Sequence, residues 1–132
     1  MAFIDIKLPP YLSRALNIPS SSPKRQQLKV LKKLLKKARF TEFGQKFLFD
    51  KILLSRHTGK NFQRVVPTFD YDKIFGEWWF RALDGKPDIC WPGTIKFFAL
   101  SSGTSESSSK YIPITKELIR ANTLTSFRQL IS

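Results

Sequence analysis

The 132-residue chain is 42% hydrophobic and 14% aromatic and carries twelve Phe, which is enough apolar material for one packed domain and excludes wholesale disorder. Its net charge of +13, from 23 Lys and Arg against 10 Asp and Glu, draws polyanions without choosing among nucleic acid, an anionic membrane and nucleotide phosphates. One cysteine, Cys90, excludes an internal disulfide and a cysteine-built zinc site; with the lone His57 it fits a reducing, cytoplasmic setting.

No stretch reaches the roughly 18 apolar residues that mark a membrane-spanning helix. The opening MAFIDIKLPPYLSRAL lacks the charged start and long apolar run of a secretory signal. Residues 1–22 read as an irregular lead-in, broken by Pro9-Pro10 and closed by Pro19-Ser20-Ser21-Ser22-Pro23, with room for a short helix around Tyr11–Leu16.

From Pro23 a helix is predicted, with Leu28, Leu31, Leu34, Leu35 and Ala38 on one face and Lys29, Lys32, Lys33, Lys36 and Lys37 on the other. Between Lys24 and Arg39 stand eight basic residues and no acid. Thr41 suits the cap of a short helix through Phe43–Phe47, which Gly44 weakens. Asp50–Ser55 reads as a further helical turn or two, and Arg56–Asn61 as a loop. Val65-Val66-Pro67 reads as short and extended, because a residue before proline avoids the helical region. Thr68 or Asp70 then caps a helix from about Tyr71 to Leu83, stopped by Asp84-Gly85. Pro87–Gly93 is a proline-punctuated loop.

Ile95–Leu100 reads as a strand and Tyr111–Ile114 as a second. Thr115 caps a last helix, with Glu117 in its first turn and Leu118, Leu124, Phe127, Leu130 and Ile131 on its apolar side. The fold class expected is therefore α/β. Helices fill residues 23–94, and a strand–loop–strand–helix unit fills 95–132. The helical pattern runs to Ser132 without a stop signal, so the chain is expected to be a single incomplete N-terminal segment of a larger domain.

Between the two strands lies Ser101-Ser102-Gly103-Thr104-Ser105-Glu106-Ser107-Ser108-Ser109-Lys110. Small residues offer backbone N–H groups and hydroxyls to an anion with little obstruction, and a lysine adds a point charge. This is not a Walker loop, which leads straight into a helix, because Tyr111-Ile112-Pro113 follows. Composition alone also allows a serine-rich surface linker. The apolar strands on both sides favour a defined hairpin loop, since flexible linkers separate whole domains.

The run Ser-Ser-Gly-Thr-Ser, then Lys110 and Tyr-Ile-Pro-Ile-Thr, resembles the signature of the auxin-responsive acyl-acid amido synthetases, the Gretchen Hagen three family of the adenylate-forming superfamily. Lys36–Gly44 with its T-E-F-G turn, Val66-Pro67 through Tyr71, Gly85–Asp88 and Trp91-Pro92-Gly93 agree with it in order and spacing. The likeness covers about Leu28 to Ile131, the first quarter or so of a family-length chain. It departs at Ser107 and Ser109, where the family often carries Gly and Pro.

The resemblance implies a ligase in which ATP and a carboxylic acid give an acyl adenylate, and an amino acid then displaces AMP to form an amide. It implies that Ser101, Ser102, Gly103, Thr104 and Ser105 hold the β- and γ-phosphates, with Lys110 at the loop's end. ATP and Mg²⁺ are implied for the parent enzyme, with the metal's protein ligand expected beyond Ser132. The fragment alone is expected to be inactive, with no catalytic residue or metal ligand of its own to name. Its expected partners are the acid and amino acid, and either the rest of its own polypeptide or a second copy covering exposed apolar faces.

The other function class is a small basic, non-enzymatic binding module that keeps the family fold and takes an anionic partner. Specific nucleic-acid binding is disfavoured, because no aromatic residues interleave with the lysines of the basic helix as a stacking platform requires. That helix reads more simply as amphipathic, with a solvated basic face. Trp78-Trp79 could line an acyl pocket, but adjacent helix positions diverge, so one is expected in the core and one at an interface. His57 is read as a loop residue and Cys90 as a small apolar filler.

Overall fold

The computed structural model describes residues 22–101 and 109–131. The stretch considered for a short helix, Tyr11–Leu16, lies outside them, as does most of the lead-in.

Helix α1 (Pro23–Ala38) starts where the Ser22 hydroxyl accepts the Arg25 amide, and Pro23 occupies a position whose N–H would have no partner anyway. Leu35 and Ala38 are buried and Leu31 packs against their cluster, while Leu28 and Leu34 stay 38% and 46% exposed. Only part of the leucine stripe therefore turns inward. The six lysines of α1 remain exposed, Lys24 included.

Thr41 joins α1 to α2 (Glu42–Lys46). Its hydroxyl, in a residue 1% exposed, donates to the Ala38 carbonyl at 2.7 Å and accepts the Gly44 amide at 3.1 Å. The first two amides of α2, on Glu42 and Phe43, donate to the Asp88 and Ile89 carbonyls at 2.9 Å each. So the donors that a helix start leaves over are met by one side chain and one distant loop. Gly44 lies against the end of α1, where a Cβ would fall 2.1 Å from the Ala38 carbonyl oxygen. Low helix propensity at this position is outweighed by a close approach that only glycine permits.

Leu48, left-handed at φ 55°, turns the chain into α3 (Phe49–Leu54). Helix α4 (Thr58–Val65) then corrects the expectation of a loop over Arg56–Asn61, which holds only for Arg56 and His57. Thr-Gly-Lys-Asn is a poor helix opening. Thr58 is nevertheless buried, and Phe62 and Val65 pack on the Leu35, Ala38, Phe49 and Ile52 cluster. Tertiary burial supplies what local propensity lacks. The extended stretch is correspondingly shorter: Val65 is helical, and Val66 alone is extended before Pro67.

Helix α5 runs from Tyr71 to Leu83 and is capped by Asp70, whose carboxylate accepts the Lys73 amide at 2.8 Å. It is α-helical over Tyr71–Ile74, widens to a π-turn over Phe75–Trp79, and closes as α-helix over Phe80–Leu83. Gly85, at φ 85°, ends it. The following loop folds on itself: the Asp88 amide donates to the Gly93 carbonyl at 3.1 Å, and the Gly93 amide donates to the Asp88 carboxylate at 2.6 Å. This closure drives Ile89 into the interior, 2% exposed. Ile89 joins Trp78 and Ala82 in a second core cluster. Phe43 of α2 and Phe47 just after it pack on both clusters, the Phe43 ring lying 4.9 Å from Trp78 and 6.0 Å from Phe49.

Strands β1 (Phe97–Ser101) and β2 (Lys110–Ile114) pair antiparallel, Phe97 with Ile114 and Ser101 with Lys110. Thr115 accepts the Leu118 amide at 3.1 Å and starts α6 (Lys116–Ile131). Phe97 and Leu100 on the hairpin, and Leu118, Ile119, Leu124 and Phe127 on α6, all remain exposed. The architecture agrees with the α/β expectation, a helical first part followed by a strand–strand–helix unit. The helices of the first part end at Leu83, and an irregular loop fills the rest of it.

Gly44→Ala is expected to lower stability by about 3 kcal/mol through the clash with the α1 carbonyl. Thr41→Ala is expected to cost about 1–2 kcal/mol through loss of the cap. Urea unfolding midpoints followed by circular dichroism read both.

Candidate phosphate-binding hairpin

The loop singled out in the sequence is closed by the pairing of Ser101 with Lys110, so it is the tip of a β-hairpin. Of its expected phosphate-holding residues, the structure describes Ser101 and Lys110 and sets them opposite each other at the hairpin's loop end. Ser102, Gly103, Thr104 and Ser105 lie outside the described residues.

What holds that end is Tyr71, which the sequence marks as the start of a helix and the end of the landmark that opens at Val66-Pro67. Its hydroxyl oxygen accepts the Tyr111 amide at 2.8 Å. Its ring lies 5.2 Å below the Lys110 ammonium, within cation–π range. The ring in turn stacks on Phe75 at 5.5 Å and meets Trp79 edge-on at 6.2 Å. Lys110 is thus placed by the first turns of α5 as well as by its strand. No spacing rule links Tyr71 to Tyr111 across 40 positions; the only signal is an aromatic at the start of a capped helix.

Behind the hairpin is a cavity of about 170 Å³, lined by Trp79, Ala82, Ile89, Cys90, Trp91 and Pro113 among others. Trp78 is in the core and Trp79 faces this cavity, as expected for neighbours diverging on a helix. Cys90 is inert: burial pushes its thiol up to about 12, only partly offset by the Arg81 guanidinium. At neutral pH it is a protonated, apolar filler rather than a nucleophile.

The helix after the hairpin is tied back by Glu117. Its carboxylate accepts the Trp91 indole N–H at 3.1 Å and lies 3.7 Å from the Lys37 ammonium of α1. Its pKa is lowered, first by its own backbone amide in the first turn of α6, and further by Trp91, Lys37 and Arg120. A second ion pair, Arg81 to Glu42, joins α5 to α2 beside the Asp88 loop.

Three sequence landmarks without evident chemistry therefore share one place. The Thr41–Gly44 turn receives the carbonyls of the Asp88–Gly93 loop, and Trp91 of that loop reaches Glu117 beyond the hairpin. The family likeness and the local geometry can now be compared directly. Over residues 14–131 the chain matches the GH3 family N-terminal domain. It belongs to the GH3 family. No curated protein and no solved structure matched it.

Within this GH3 domain the landmarks are structural: they assemble the platform on which the hairpin stands. Among the described residues, no three His, Cys, Asp or Glu side chains come together as a metal site, and no helix is long and apolar enough to cross a membrane.

A carboxylate whose pKa is lowered in the folded state adds stability that is fully present above its ordinary value of 4.5 and is lost as pH falls through the lowered value. Thermal melts between pH 3 and 7 should therefore show a steeper acid loss in the unmodified chain than in Glu117→Gln. Equal slopes would remove Glu117 as a latch.

Proposed function

We propose that this GH3 domain belongs to an ATP-dependent acyl-acid amido synthetase and that its hairpin loop grips the β- and γ-phosphates of ATP during carboxylate adenylation. The observation that carries this reading is the fixed placement of Lys110, paired with Ser101 and seated on Tyr71 at the base of a loop of Ser, Thr and Gly with one acid, Glu106. The family supports it independently.

The chain's own contribution is binding and orientation. Lys110 supplies a cation to the phosphate oxygens, Ser101 a hydroxyl, and the loop's short residues leave the backbone open to them. Lys110 and Ser101 suit an anion and not a cation, so Mg²⁺ would arrive with the phosphates and would supply neutralisation of their charge. Adenylation then requires the phosphates to be held while the carboxylate attacks the α-phosphorus and pyrophosphate leaves. A grip on β and γ orients the leaving group. The acyl acid and the amine are recognised elsewhere, so neither is identified by these residues.

Calorimetric titration of the full chain tests the assignment. ATP and pyrophosphate should both bind, AMP much more weakly, and Lys110→Ala should weaken the first two about tenfold. Affinity for AMP equal to that for ATP, or no effect of Lys110→Ala, would overturn it. Carboxylate-dependent pyrophosphate exchange is expected to be absent for the chain by itself, since catalysis relies on positioned groups acting together.

A further inference from the structure

A second concave surface lies between α1 and α4, on residues not used by the hairpin. It encloses about 580 Å³. One wall is the stripe Lys24, Leu28 and Lys32 of α1, spaced four apart and so on one helix face. The other is the start of α4 with Arg56 before it and Lys60 within it. Leu28, Leu31 and Phe62 form an apolar floor.

The electrostatics are one-sided. Lys24, Lys32, Arg56 and Lys60 are exposed, and none of them has a carboxylate partner among the described residues, whose ion pairs are those of Lys37, Arg39 and Arg81. Among the described residues, no acid lines the groove. The positive end of α4 also opens into it, without a side-chain cap from His57. Four cations held around apolar surface repel one another unless an anion joins them.

We infer that this groove is a docking site for an acidic peptide segment that carries apolar side chains between its carboxylates. The floor is what selects this class. A phosphate backbone gains nothing from Leu28, Leu31 and Phe62, and Phe62 alone is no stacking platform for bases. An extended peptide satisfies both parts, because successive side chains point to opposite sides. Apolar side chains reach the floor, while the carboxylates turn to where the long lysine stems can meet them. From Lys24 to Lys32 the wall runs about 12 Å at 1.5 Å per helical residue, the span of about four extended residues. The inference is independent of nucleotide binding at the hairpin.

The test is fluorescence anisotropy of the full chain with a labelled peptide of alternating Glu and Leu, its Glu/Ser counterpart, and a single-stranded oligonucleotide of equal charge. The Glu/Leu peptide should bind about tenfold more tightly than either, with an affinity that falls as salt rises. Lys32→Glu with Lys60→Glu should weaken it about tenfold, and Leu28→Ser about threefold. Lys86→Glu with Lys96→Glu, the same change of net charge away from the groove, should leave it within about twofold. Should the double reversal lose its helical circular dichroism, Lys60→Gln gives the same reading with a smaller loss. Tighter binding of the oligonucleotide, equal binding of the Glu/Ser peptide, or equal loss from the reversal outside the groove would each overturn the inference.

Discussion

The fold depends on the hydroxyl of Thr41. One buried group closes α1 by donating to the Ala38 carbonyl and opens α2 by accepting the Gly44 amide. Both bonds are shielded from water; losing the hydroxyl takes this acceptor from the Gly44 amide, while the Ala38 carbonyl keeps the Thr41 amide at 3.0 Å. The sharp turn brings α2 so close to α1 that position 44 has no space for a side chain. It also presents the next two amides of α2 outward, where the Asp88–Gly93 loop meets them. Phe43 and Phe47 then face both halves of the core. Helix order, loop closure and core continuity therefore trace back to one threonine.

From this junction the structure extends outward with decreasing cover. Leu35, Ile52 and Ile89 are almost fully enclosed, whereas the hairpin and α6 keep large apolar residues in contact with solvent. The hairpin is nevertheless placed, because Tyr71 and Glu117 act as two polar pins on either side of it. Under the proposed phosphate grip, such pins would present backbone and cation to a charged ligand. They fix direction without burying the groups that bind.

Much of the fold was legible because its boundaries are chemical. Ser22, Thr41, Asp70 and Thr115 each accept an amide three residues on, the pattern expected of a helix cap. The hairpin could be read from two apolar runs around a polar one. Helix α4 could not, since its opening residues favour a loop and only the burial of Thr58 and the packing of Phe62 and Val65 overturn that. The π-turn was equally hidden: Phe75–Trp79 satisfies an ordinary helical pattern, and the extra width appears only in the backbone. At the site, Lys110 was found from local composition. Tyr71, its support, depends on a contact between residues distant in sequence. A run of small polar residues ending in a lysine shows in the sequence, whereas the aromatic ring beneath that lysine shows only after folding.

The π-turn also sets the relative direction of the two ends of α5. A straight α-helix advances about 100° per residue, and a π-turn absorbs one residue more than an α-turn would. Tyr71 stands before this widening, under the hairpin, and Ala82 after it, in the core. Rewinding the same residues as ordinary α-helix would swing the two ends by most of that angle. The hairpin support and the core contact could then no longer be met by the same rigid rod. The wide turn thus takes up one residue and keeps Tyr71 and Ala82 in the relative direction that a helix one residue shorter would give them.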